Sequence, residues 1–196
     1  MNLAPTSPVA TLDVAWTGPY GWPGYSPELP RLPDHPGVYL LTVNYRSGFL
    51  IYAAGLTRRP FTKRFIEHTR TYFAGHYNVL DIAAMRRGIR KRIFHGWDRS
   101  RRNRVLFTKR KNEIIRAVER QLAGYRIFVA DLEVSGRILE RVEAAVMNLL
   151  YSCPSPFCDI PDKGMLLMPR WQSESPICAI NHCSANLYCL PREFDI

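Results

Sequence analysis

GVYLLTVNYRSGFLIYAAGLTRRPFTKRFIEH, residues 37–68, sets two β-prone runs, a tight connector and the start of a helix inside 32 residues. Residues 37–45 and 49–54 are rich in β-branched and aromatic side chains and flank Arg46-Ser47-Gly48, so they read as an antiparallel hairpin. Past Gly55 a helix is expected from about Pro60, because proline suits a first helical turn and Phe61, Phe65 and His68 recur at helical spacing. Strand side chains alternate between faces, so Tyr39 can point at a site while its neighbours pack inward. Helix positions four apart share a face, which sets Arg64 and His68 side by side.

Working outward, residues 78–93 and 109–123 are further helix candidates, joined by FHGWDRSRRNRVLFT. YRIFVADLEV (125–134) reads as a strand, and SGRILERVEAAVMNLLYS (135–152) as an amphipathic helix with Ser135 as its cap. Residues 1–35 hold seven prolines together with Trp16, Tyr20, Trp22 and Tyr25, the composition of an extended arm packed by its aromatics. Residues 153–196 look irregular. The expected fold is α/β in the α+β sense: a small three-stranded antiparallel sheet flanked by helices, in a β-β-α-α-β-α core over 36–152. A basic helical insertion spans about 72–124, between the arm and a Cys-rich C-terminal extension.

The formal charge of +10 points to a polyanionic partner, nucleic acid before any anionic membrane surface. No apolar run approaches the roughly 18 residues that span a bilayer, and MNLAPTSPVATLDVAW lacks the basic start and apolar core of a secretory leader. A cytoplasmic protein is expected, with no membrane partner. Five cysteines all lie beyond residue 150, which reads as reduced thiols. Cys153, Cys158, Cys178 and Cys183 form two pairs with gaps of four, the one arrangement here that suggests a structural Zn²⁺ site.

A phenol (Tyr39), a guanidinium (Arg64), an imidazole (His68) and a carboxylate (Glu143, on the helix after the third strand) make a sensible set for cutting a phosphodiester. The carboxylate can hold a divalent cation, the guanidinium offers a planar fork to phosphate oxygens, and phenol or imidazole can take a proton from water. Singly, each has a plainer reading: a packed strand tyrosine, a solvated arginine, a structural histidine, a paired glutamate. Their combination carries the weight.

GVYLL followed by YAAGLTRRPFTKRFIEH resembles the GIY-YIG nuclease family: Gly37, Val38 and Tyr39 match its first element, Gly55 the glycine of its second, and Arg64 and His68 its helix pair. Glu143 matches its metal-binding carboxylate, and the resemblance covers about residues 36–152. It implies hydrolysis with one Mg²⁺ or Mn²⁺ held by Glu143, Tyr39 acting on the attacking water with His68 behind it, and Arg64 stabilising the transition state. It also implies a restriction or other genome-defence role, with DNA as partner. Two positions depart from the pattern. The family's second tyrosine belongs at position 53, which is alanine, and Tyr52 stands one residue earlier; a regular strand would turn it to the opposite face, and a bulge would re-aim it. The family's later Asn has no clear counterpart, Asp159, Asn181 and Asn186 being candidates.

Residues 86–126 carry fifteen Lys or Arg against three acids, an imbalance that phosphate backbone binding explains. Arg86, Arg87, Arg90, Lys91, Arg92, Arg99, Arg101, Arg102, Arg104, Lys109, Arg110 and Lys111 are the candidate nucleic-acid contacts, with Arg58, Arg59 and Lys63 near the motif. Two other functions stand beside the DNA endonuclease: a weakened or non-catalytic nucleic-acid-binding module on the same scaffold, and an RNA-directed nuclease. The oligomeric state is open, a dimer included.

Overall fold

The structure, a computed structural model, describes residues 10–196. The reading of residues 1–9 as the start of a leaderless arm lies outside the described residues. The chain runs through β1 (Ala10–Ala15), β2 (Thr17–Tyr20), β3 (Gly37–Tyr45), β4 (Gly48–Thr57) and α1 (Phe61–Phe73). It continues through β5 (Val79–Leu80), α2 (Ile82–Met85), β6 (Arg92–Phe94), α3 (Arg101–Lys109), α4 (Lys111–Gly124) and β7 (Arg126–Ala130), and finishes with α5 (Gly136–Ser152), β8 (Ile177–His182) and β9 (Glu193–Asp195). It is a mixed α/β protein.

The central sheet has the order β2-β7-β3-β4, every pair antiparallel. The expected three strands are present, and the arm adds a fourth, because β2 pairs with β7. Both faces of β3 are covered. Tyr39, Leu41 and Val43 pack with Phe61 and Phe65 of α1 and Val118 and Leu122 of α4, while Val38 and Leu40 pack with Val142, Val146 and Met147 of α5. That two-sided burial is why the strand reads as a nearly continuous apolar run. Trp22 of the arm is fully buried, stacked on Tyr125 at 5.7 Å between centroids, and its indole N–H donates to Thr69 Oγ1 at 2.8 Å.

Three expectations are corrected. Residues 78–93 form no single helix. Asp81 caps the four-residue α2, and Gly88 at φ +76° turns the chain back so that β6 pairs with β5. The segment 94–108, read as a connector, instead holds all but the last residue of α3, started by Ser100, whose hydroxyl accepts from the Asn103 N–H. The C-terminal extension is not irregular throughout: β8 pairs in parallel with β1 and antiparallel with β9, building a second small sheet whose Val14, Ala179 and Phe194 pack in the same cluster as α5. α1, α4 and α5 form close to where their periodicity puts them, and Ser135 caps α5 as expected by accepting from the Ile138 N–H. Cys153, at the C-terminus of α5, is disulfide-bonded to Cys189, which sits between β8 and β9, so the expectation of reduced thiols throughout is also revised. Among the described residues no helix is long and apolar enough to cross a membrane.

Candidate active site

β3, β4, α1 and α5 bring their polar side chains to one cavity of about 150 Å³. Tyr39, Tyr52, Arg64, His68 and Glu143 all line it, so the five candidate catalytic residues converge. Gly55 makes the close packing possible: a Cβ there would lie 2.3 Å from the Tyr39 ring, so any side chain would displace the phenol.

The position of Tyr52 follows from the strand register. Leu41 pairs with Ala53 while Thr42 pairs with Ile51, so Tyr52 and Ala53 together lie opposite Leu41 as a β-bulge. The bulge shifts the alternation by one residue. Leu50 and Tyr52 fall on the Tyr39 face before it, and Gly55 falls on that face after it. Tyr52, one residue off the regular alternation from Gly55, thereby shares the Tyr39 face. The Tyr52 hydroxyl donates to Asp162.

Tyr39 Oη lies 2.7 Å from His68 Nε2, and His68 Nδ1 lies 3.0 Å from Tyr77 Oη. Burial, reinforced by the Arg64 charge, lowers the His68 pKa to about 3, so the imidazole is neutral at ordinary pH. With its proton on Nδ1 and donated to Tyr77, Nε2 accepts from the Tyr39 hydroxyl. Burial raises Tyr39 to about 12 despite the opposing Arg64 guanidinium. Burial likewise raises Glu143 to about 7, opposed by Arg64 and by the Leu56 backbone N–H. The nearest carboxylate to Arg64 is Glu67, at 3.7 Å and already held by Arg59 at 2.7 Å, and the buried Arg64 Nε has no partner. Arg64 thus lines the cavity as a cation beside the Tyr39 hydroxyl with no carboxylate paired closely to it, an arrangement that suits an oxyanion.

Glu143 is the wall carboxylate with no side-chain partner, since Asp162 is held by Tyr52, by Asn78 at 2.9 Å and by Arg90. Among the described residues no three His, Cys, Asp or Glu side chains gather as a ligand set. A single carboxylate suits a hard divalent cation such as Mg²⁺ or Mn²⁺, which completes its shell with water and phosphate oxygens. The residues do not suit zinc: Cys153 is consumed by Cys189, and Cys158, Cys178 and Cys183 are free thiols belonging to no such set.

The basic residues divide. Arg90 turns inward to Asp162 and the Ile160 carbonyl, so it is structural rather than a surface contact. Arg58 pairs with Glu140, Arg59 with Glu67, Lys91 with Asp81 and Arg110 with Glu113. Lys63, Arg86, Arg87, Arg92, Arg99, Arg101, Arg102, Arg104, Lys109 and Lys111 are exposed and in no ion pair among the described residues. Asp162, Asn78 and Tyr77 were not anticipated: they lie in loops or at the edge of a two-residue strand, where no periodicity marks them. Asp159, the nearer sequence candidate for the missing Asn, is exposed and hydrogen-bonded to Ser155, while Asn181 binds the Trp16 indole. The chain matches no protein-family model, no curated protein and no solved structure.

Proposed function

We propose that this protein is a divalent-metal-dependent endonuclease that hydrolyses phosphodiester bonds in DNA, of the GIY-YIG type. The observation that carries the reading is the convergence of Tyr39, Arg64, His68 and Glu143 on one cavity in a strongly basic protein.

Each residue has a chemical part. Glu143 would hold a divalent cation, whose charge would polarise the scissile phosphate. Arg64 offers its guanidinium charge to a nonbridging oxygen, where charge builds as water adds. The Tyr39–His68 pair takes the water's proton: Tyr39 accepts it as its own proton passes to His68 Nε2 over the 2.7 Å contact. His68 resists protonation in the free protein because it is buried and, second, because Arg64 lies close; a bound phosphate offsets the second cause and raises its proton affinity. Tyr52 braces the wall through Asp162. Cleavage fits a restriction or defence role, and the exposed arginines suit either nucleic acid.

One observation favours a non-catalytic binding module: the Tyr52 hydroxyl is committed to Asp162 instead of the reacting centre. Plasmid DNA and structured RNA incubated with protein and Mg²⁺ or Mn²⁺ decide the matter. Metal-dependent nicking of DNA, lowered at least about 10²-fold by Glu143→Ala, is expected, in line with the usual contribution of such electrostatic groups. Salt-sensitive binding without cutting by the wild type would leave the module, and cutting of RNA alone would change the substrate.

A further inference from the structure

A second cavity of about 320 Å³ adjoins the candidate active site and shares two walls with it, Trp97 and Asp162. We propose that it is a nucleotide subsite, which takes the base of a residue flanking the scissile phosphate and stacks it on Trp97. The proposal rests on the nuclease reading for its substrate, and its test does not depend on cleavage.

Four observations converge. Trp97 is half-buried and lines both cavities, a placement that suits a stacking platform beside the reaction. Asn78 is 2% exposed and lines the second cavity. Its Nδ2 donates to Asp162 Oδ1 at 2.9 Å, which fixes the amide's orientation because an oxygen would be repelled there. That leaves Asn78 Oδ1 as a buried acceptor with no partner, a group whose desolvation is uncompensated until an N–H reaches it. Arg92 and Lys163, both exposed, stand at the same cavity as cations for the adjoining phosphates. The volume lies within the roughly 300–1,000 Å³ usual for small-ligand sites.

The cavity is rigidly built. Gly96 packs so tightly on Tyr77 that a Cβ would lie 2.0 Å from the Tyr77 carbonyl oxygen, so the Trp97 loop is seated against the residue whose hydroxyl binds His68. Asn103 at the start of α3 donates from Nδ2 to the carbonyls of His95 and Asp98, both at 2.8 Å. The Trp97 loop is thus tied to catalytic His68 on one side and to the exposed arginines of α3 on the other. A strand held by α3 is delivered to the subsite and then to the cavity with Glu143. The unpaired acceptor selects bases presenting an N–H or amino group at their edge.

The test is binding in EDTA, where no cleavage occurs. A fluorescein-labelled single-stranded decanucleotide and an abasic decamer of equal charge are titrated by anisotropy, with tryptophan emission followed in parallel, against wild type, Trp97→Phe and Trp97→Ala. The wild type is expected to prefer the base-bearing strand by about tenfold, the range of one base–aromatic stack. Trp97→Phe keeps most of that preference while losing the emission quench, and Trp97→Ala abolishes the preference without changing affinity for the abasic strand. Equal wild-type affinity for the two strands overturns the proposal, as does an undiminished preference in Trp97→Ala. A deoxynucleoside monophosphate that binds as tightly as the decamer also overturns it, by marking a free-nucleotide site. A nuclease that cuts yet binds both strands alike loses the subsite alone; a subsite that binds in a protein that never cuts loses the nuclease reading alone.

Discussion

Burial pushes Glu143 and His68 in opposite senses, and each leaves a signature in the pH dependence of stability. The Glu143 pKa is raised from 4.5 to about 7, so folding favours its protonated form. Its stabilising contribution is complete below about 4.5 and is lost as the pH rises through 7. His68 is lowered from 6.5 to about 3, so its contribution is complete above about 6.5 and is lost as the pH falls towards 3. Without divalent metal, Glu143→Gln is expected to gain about 2–8 °C in Tm over the wild type above pH 7, with the gain vanishing below about pH 4.5. Thermal melts at pH 4, 6 and 8 check this, and a constant difference at all three would mean that Glu143 is not desolvated in the folded state. On the nuclease reading a cation would bind the carboxylate form, so metal-dependent cleavage should rise with pH up to about 7 over the same titration.

At the scale of elements, α3 is the least anchored helix and the most charged. Of its nine residues only Asn103 is buried, and Arg101, Arg102 and Arg104 are exposed beside Val105 and Leu106, which are 47% and 40% exposed. Replacing the three arginines by alanine is expected to leave the melting temperature within about 2 °C, since exposed substitutions usually cost little. The same variant should flatten the plot of log affinity for duplex DNA against log salt by up to about 2.7, at about 0.9 per neutralised phosphate. An unchanged slope would remove α3 from the interface. The helix escaped sequence reading because it has no apolar stripe to set a period; only Ser100 at its cap marked it. The hairpin, α1 and α5 were legible because their signals are local: alternation, a proline at the first turn, a serine cap. The candidate site was legible for the same reason, since four of its five anticipated residues lie within β3, β4 and α1, and Glu143 lies on a strongly periodic helix.

In the whole molecule, what could not be read is what joins distant parts. β1 pairs with β8 across the length of the chain, Cys153 bonds Cys189, and Asp162 reaches the site from a loop because Tyr52, Asn78 and Arg90 all bind it. Nothing local in IPDKG marks Asp162 as more than a turn residue. The paired faces of β3 and β4 carry a consequence for chain length. Without Ala53, Tyr52 would face Leu41 directly, Ala54 would keep Leu40 and Gly55 would keep Tyr39, so every side chain would retain its present side. A protein deleted of Ala53 should therefore fold with a straight strand and an intact cavity, melting within a few degrees of the parent, whereas deleting Ile51 should set Tyr52 opposite Thr42, turn its ring to the α5 face and break its bond to Asp162, lowering the melting temperature further. Along a ribbon, the number of letters between two residues stands in for an angle of rotation, and here one surplus alanine makes the count misleading while the angle stays right.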